Sequence, residues 1–465
     1  MIARAIRSIL VAGDGIVGLS AALAFSRALP QVRVTILSLP QDPAALADGL
    51  PGTLPAVGRF HAAIGFDELE LVRAGIAHHH LGTRFEGWGP APWIHSFGEV
   101  GRGEGAVPFH PLWLRAHDEG RALPYDRYDV ASVFGDAGKF VHPSHDPASP
   151  LSTYLYGLRL DPDGYRARLN EAARNLRRLD GDLLGIERRD DGGIAALRLS
   201  GDRREEADLF LDCTGPRALL LSEIDGSFED WSGWLPVCHV AVDRADGGIP
   251  DPLNHVRRKG VDWIVSGSVP GATLTASVSP HALDHGAPVH PGARVPFRHN
   301  VLALGDAAVA VDPLHGINLS LAHSAILRAI DLLPGRNFNP LELAEYNRLT
   351  ALETGRARDF LALHYLGRAE PPNSLARTLE QWRARGRLPF FEEELFTPSS
   401  WAQALIGLGI LPDAIAPTAL GVDADAAATA MDRLAKEIAG LRDRLPTYPD
   451  YLAQMANVGT AGARR

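Results

Sequence analysis

Three glycines near the start of the chain, Gly13, Gly15 and Gly18, stand in the spacing GxGxxG within Ile9 to Phe25, ILVAGDGIVGLSAALAF. That spacing can hold a pyrophosphate. Gly13 permits a tight turn, Gly15 lets backbone approach the phosphates, and Gly18 lets a helix pack on the preceding strand. The free N–H groups at the helix start then face the anion. A second stretch repeats the construction: the apolar run Val301 to Leu304, then Gly305-Asp306, then GINLSLAHSAILRAIDLL from Gly316. Asp306 can accept hydrogen bonds from a polyol hydroxyl, and N–H groups from Gly316 to Asn318 can face an electron-rich ring. A third set is aromatic: His78, His79 and His80 in HHHLGTRFEGW, His95 and Phe97 in WIHSFG, and His110 in VPFHPLWLR. Aromatic rings beside single polar groups line apolar ligand pockets. Adjacent histidines on a strand point to alternate faces and cannot converge on one ion, so no metal site is assigned to them.

The elements that must position these residues follow from patterning. Ile9 to Ala12 reads as a buried strand, and Val32, Val34 and Ile36 mark a second one, which completes a β-α-β unit. The second strand ends in Ser38, where this arrangement usually has an acid that binds the ribose. A serine forgoes a charge-assisted bond, roughly twice as strong as a neutral one, so modest nucleotide affinity is expected. Asp42 to Val57 is rich in Pro and Gly and reads as a loop returning toward the nucleotide, and Arg59 to Ala74 reads as helix. Asp161 to Leu176 is an amphipathic helix, Leu183 to Glu187 and Ile194 to Leu199 form a meander, and ADLFLDCTGP (Ala207 to Pro216) is a strand returning to the nucleotide. Phe228 to Pro280 alternates as an antiparallel sheet would, and beyond Pro340 the chain is helical, ending in the polar segment Asn457 to Arg465.

Composition narrows the class. With 465 residues, 46% of them apolar and 22% charged, the chain can bury a large core. A net charge of −10 argues against an extended nucleic-acid surface, which needs clustered cations. Lys139, Lys259 and Lys436 are the three lysines, so a mechanism that needs one has few candidates. The two cysteines make neither a disulfide framework nor a metal spacing, which fits a cytoplasmic protein. No apolar run is long enough to cross a bilayer, and no membrane association is expected.

The segments LGTRFEGW (Leu81 to Trp88), WIHSFGE (Trp93 to Glu99), DLFLDCTGPRALLL (Asp208 to Leu221), FEDWSGWLP (Phe228 to Pro236), NVLALGDAAVAVDPLHGINL (Asn300 to Leu319) and LFTPSSWAQALIGLGILP (Leu395 to Pro412) carry a resemblance. In sequence and order they are similar to the flavin-dependent tryptophan halogenase family of the FAD-dependent monooxygenase superfamily. The resemblance implies an α/β fold: an FAD-binding Rossmann-like domain over residues 1–225 and 290–335, a substrate-side antiparallel-sheet region over about 78–120 and 226–289, and a helical C-terminal region over 336–465. It implies reduced FAD delivered by a separate flavin reductase, and the use of O2 to halogenate or oxygenate a small, indole-like aromatic molecule. In the family a hypohalous acid reaches a lysine beside the substrate, and that position falls here on His80. The family's WxWxIP segment falls on VSGSVP (Val265 to Pro270), with Trp263 just outside that register. The family's glutamate falls on His315 in a turn two residues shorter. DPLHGINL also resembles the ring-facing segment of aromatic hydroxylases.

The expected site therefore comprises His80 and His315 as catalytic residues. Gly13, Gly15, Gly18, Ser38, Gly305, Asp306, Gly316 and Asn318 would hold the cofactor, and His95, Phe97, His110 and Trp263 the substrate. A homodimer is compatible with this reading. The rival reading is a halogenase-fold binding or partner protein that has lost catalysis.

Overall fold

The computed structural model describes residues 5–462, with side chains as far as residue 456, so the polar segment Asn457 to Arg465 falls outside the described side chains. Two compact units divide the chain: Met1–Ala77 with Leu160–Val242 and Val278–Arg358, and His78–Arg159 with Asp243–Ser277 and Asp359–Arg465.

The first unit is built on a six-stranded sheet. Its order is Phe297–Arg298, Val301–Ala303, Leu209–Asp212, β1 (Ser8–Ala12), β2 (Arg33–Ser38) and Arg177–Asp180. All neighbours are parallel except the first pair. Ile9, Leu10, Val11 and Ala12 are all buried, as a parallel strand covered on both faces demands. Helix α1 (Ile16–Ala28) is buried from Ile16 through Phe25, and its run of small and apolar residues suits a helix enclosed on every side. Leu10, Leu37, Leu197, Phe210, Leu220 and Val301 share one core.

The glycine turn is held by the sheet. Gly13 donates its N–H to Leu37 O at 2.9 Å and has a φ of +102°. A Cβ there would lie 2.5 Å from Cys213 O, and one on Gly18 would lie 2.0 Å from Gly13 O. Backbone stands in both directions, so neither position tolerates a side chain. The neighbouring turn, Asp212 to Pro216, is fixed by one buried carboxylate. Asp212 Oδ1 accepts from the N–H of Thr214 at 3.2 Å and its hydroxyl at 2.7 Å, and Oδ2 accepts from the N–H of Leu220 and of Leu221, both at 2.8 Å.

One helix expected over Arg59 to Ala74 is two, Val57–Ile64 and Glu68–Arg73. Gly65 ends the first in the left-handed region, at φ +68°, and Asp67 caps the second by accepting Glu70 N–H.

In the second unit Leu253–Lys259 pairs antiparallel with Asp262–Val269 and parallel with Gly82–Glu86, which in turn pairs antiparallel with Trp93–Ser96. The region read as antiparallel thus gains a parallel neighbour from much earlier in the chain. On its other side Gly82 admits the close approach of Trp93–Ser96, because a Cβ would stand 2.2 Å from His95 O. Phe134, Phe140, Tyr154, Leu253 and Ile438 form the unit's core, and the helices Asn373–Arg385, Pro398–Gly407 and Ala424–Arg444 complete it. Trp382 anchors the first of these helices by donating Nε1–H to Ile410 O at 2.7 Å. Among the described residues no helix is long and apolar enough to cross a membrane.

Candidate functional site

In the first unit the two glycine-bearing stretches converge. Gly305, at φ +62°, turns the chain directly beside α1, so that a Cβ would sit 3.0 Å from the side chain of Val17. Asp306 follows, 4% exposed, and accepts hydrogen bonds from Ala47 N–H at 2.9 Å and from Asn318 Nδ2 at 3.4 Å. Asn318 opens helix α3 (Asn318–Asp331) and also donates to Val311 O at 3.0 Å, which ties the helix start to the turn. Burial pushes the Asp306 carboxyl up to about 7, with the charge of Asp48 adding to the rise and the Ala47 N–H opposing it. Gly316 adopts φ +61° within the same turn, and His315 beside it is buried. Ser38 closes β2, next to Leu37, whose carbonyl receives the Gly13 N–H.

The residue that sequence reasoning passed over is Asp48. It lies in the short helix α2 (Leu46–Gly49), inside the segment read as a returning loop. Its Oδ1 accepts Val17 N–H at 3.0 Å, in the first turn of α1. A Cβ on Gly15 would stand 2.3 Å from Asp48 Oδ2. Burial raises the Asp48 carboxyl to about 6 against the pull of the Val17 and Ile16 N–H groups. An acidic residue followed by glycine, in a loop already expected to return to the phosphate turn, is the signal that points to it.

These residues fit a dinucleotide. Gly13 and Gly18 are pressed by backbone, whereas only a side chain, that of Asp48, fills the space before Gly15. With that carboxylate displaced, Gly15 and the amides of Ile16 and Val17 would offer the phosphate cradle, and Asp306 an acceptor for a polyol chain. Beside the same segment lies a pocket of about 660 Å³ lined by Asp42, Ala44, Arg217, Phe228, His290 and Arg294. Its two arginines and one aromatic ring suit a planar, electron-rich group.

In the second unit the three successive histidines have three different surroundings. His78 Nδ1 faces Ser268 Oγ at 3.4 Å, and His79 stacks on Phe140 at 4.0 Å. His80 donates Nε2–H to Gly82 O at 2.8 Å. Since the acceptor is a carbonyl, the proton is on Nε2, and Nδ1 is the basic nitrogen of neutral His80. His80 meets Phe97 edge to face at 5.2 Å, and Phe97 meets His95 at 6.3 Å. Burial holds His95 neutral, pushing it down to about 3, and the nearby His364 adds to the effect.

His80, Phe97 and His95 therefore form one group. His110 is engaged elsewhere, with Gly386 O at 3.0 Å and Trp382 at 5.7 Å, and burial lowers it to about 4. Trp263 packs against Trp88 at 5.9 Å, and Trp88 also carries the Arg258 guanidinium over its face.

Known proteins resemble this chain over most of its length. A family model described as tryptophan halogenase matches residues 8–264 and 272–424. The tryptophan 6-halogenase SttH of Streptomyces toxytricini is 24% identical, over 96% of this chain and 98% of its own. Among solved structures, BrvH, a flavin-dependent halogenase from Brevundimonas sp. BAL3, superposes with a TM-score of 0.89 at 29% identity, covering 97% of this chain and 99% of its own. Xcc4156, a flavin-dependent halogenase from Xanthomonas campestris, gives 0.89 at 27% with the same coverage, 97% and 99%.

Proposed function

Because this chain belongs to the tryptophan halogenase family, we propose that it transfers oxidised halogen to an electron-rich aromatic ring, an indole or a close analogue. It is an FAD-dependent oxidoreductase of the type that receives reduced flavin from a separate reductase. The observation that carries the proposal is the meeting of the GxGxxG turn and Asp306 in one unit, in a chain similar to flavin-dependent halogenases over nearly its whole length.

Bound reduced FAD supplies, with O2 and halide, the hypohalous acid. Gly13 and Gly18 would shape the turn, Gly15 would admit the pyrophosphate, and Asp306 would accept from the ribityl chain. His80 stands where the family has its lysine. With Nε2–H committed to Gly82 O, Nδ1 accepts the O–H of the hypohalous acid and so orients its halogen. The ring carbon attacks the halogen, hydroxide leaves, and the proton released by the ring turns it into water. Phe97 borders His80, and His95 on the other side of that ring is held neutral and adds no competing charge.

A second reading, oxygenation of the ring, draws on DPLHGINL and its likeness to the ring-facing segment of aromatic hydroxylases. One experiment separates the readings. The protein is incubated with a flavin reductase, NADH, FAD, O2, bromide or chloride, and an indole and phenol panel, and products are analysed by mass spectrometry. A halide-dependent bromine or chlorine isotope pattern is expected. Oxygen addition independent of halide would favour the second reading, and no product across the panel would sink both.

A further inference from the structure

The segment from Asp42 to Leu54 is fastened at four points. Asp42 pairs with Arg217 at 2.8 Å, Ala47 N–H bonds Asp306, Asp48 bonds Val17 N–H, and Leu54 N–H bonds Ser320 Oγ at 2.9 Å. Two of these contacts use groups that a dinucleotide would need: the amide at the start of α1 and the carboxylate of Asp306. Asp48 Oδ2 also occupies the space directly before Gly15, the glycine whose lack of a side chain admits a phosphate.

We propose that Asp48 is a resident competitor of the FAD pyrophosphate, a carboxylate that takes the phosphate position at α1 and must be expelled, with its segment, before the cofactor is held. The inference rests on the flavin reading above and concerns the regulation of that same site. A carboxylate and a phosphate both seek the N–H groups at a helix start, and their like charges exclude joint occupancy. Apparent affinity for FAD is then the intrinsic affinity reduced by the fraction of molecules in which the segment has moved away. Ser38, in place of the usual acid, weakens the hold further. Loose retention suits a chain that takes reduced FAD from one protein and must release the oxidised form for the next cycle.

The test uses the full chain and free FAD, followed by flavin fluorescence, with Asp48→Ala beside the wild type. Loss of the carboxylate removes the competitor, and FAD should bind about tenfold more tightly. Equal or weaker binding by Asp48→Ala overturns the inference while leaving the flavin reading intact. Absence of binding by both proteins overturns the flavin reading and this inference with it.

Hydrogen exchange on the unmutated protein gives a second readout. Saturation with FAD should speed exchange of the Ala47 and Leu54 amides, which lose Asp306 and Ser320 as partners. Unchanged protection of both amides overturns the inference even if the variant misfolds.

Discussion

Ala47 and Asp306 are 259 residues apart in the chain, yet the N–H of one donates to the carboxylate of the other at 2.9 Å. The bond fastens the segment that carries Asp48 to a buried acid. Burial raises Asp306 to about 7, well above an exposed aspartate at ~3.9. The folded state therefore favours the protonated acid. The stability that this group contributes is complete below the unfolded pKa and is lost as pH rises through the folded one, by at most about 1.4 kcal/mol per pH unit. Asp306→Asn, which cannot ionise, should lose less stability than the wild type between pH 5 and pH 8, as read from the melting temperature at each pH. Parallel profiles would show that Asp306 does not titrate in this range.

Asp48 gives a related pH dependence in binding. Its carboxyl is raised to about 6 by burial and by the charge of Asp14, against the Val17 and Ile16 amides and Arg166. Released into water it would titrate near ~3.9, so protonation favours the buried position. The segment is held best at low pH, and its hold weakens as pH rises through 6. FAD affinity of the wild type should climb from pH 5 to pH 7, whereas Asp48→Asn should show a shallower climb. Fluorescence titrations at three pH values decide it, and identical slopes would count against the assignment.

Gly18→Ala tests the fingerprint itself. The new methyl would meet Gly13 O at 2.0 Å, and the opposing atom is backbone held by the sheet. Helix α1 must back away from β1, at a cost of about 1–3 kcal/mol for overpacking. FAD binding should fall at least tenfold in a protein that still folds, measured by the same titration with circular dichroism as the control.

The chain's letters show the helix-and-strand frame of the first unit because local demands coincide there: a continuous apolar run, a glycine turn and a helix within a few residues. Val301 to Leu304 and Leu209 to Asp212 are legible for the same reason, and each of these segments joins the parallel sheet. What the letters hide is pairing at long range. The returning loop hints at Asp48 without naming Val17 as its partner, and nothing local tells that Leu253–Lys259 lies parallel to Gly82–Glu86. The break at Gly65 was hidden by an apolar period that runs on through it. That His80 and His95 both meet Phe97 is a matter of tertiary packing, which a single sequence leaves open.

Asp212 holds a turn in place through its buried side chain. It is completely buried and accepts four hydrogen bonds, which lock the turn whose Cys213 carbonyl abuts Gly13. Asp212→Ala leaves three backbone N–H groups and a hydroxyl without their acceptor, each worth about 1–3 kcal/mol when stranded. Unfolding in urea should show a loss of about 3–5 kcal/mol, large for one substitution. Asp212→Asn keeps one acceptor oxygen and should lose roughly half as much. A loss below 1 kcal/mol for the alanine variant would mean that water replaces the carboxylate.

His80 carries the prediction closest to chemistry. Its Nε2–H is taken by Gly82 O, so its other nitrogen can act on a substrate-side proton only while the ring is neutral. His80→Ala removes that nitrogen and leaves the glycine turn and Asp306 unsubstituted, so FAD affinity should stay within twofold of the wild type while product formation falls about 100-fold, within the range for loss of a positioned acid-base group. His80→Lys restores a hydrogen-bonding nitrogen at the position to which the resemblance assigns the family's lysine, and should recover part of the rate with a shifted pH profile. Single-turnover assays with prereduced FAD, bromide and indole separate this from reductase supply. If alanine at His80 leaves the rate unchanged, the halogen is oriented by other groups and the assignment of His80 fails.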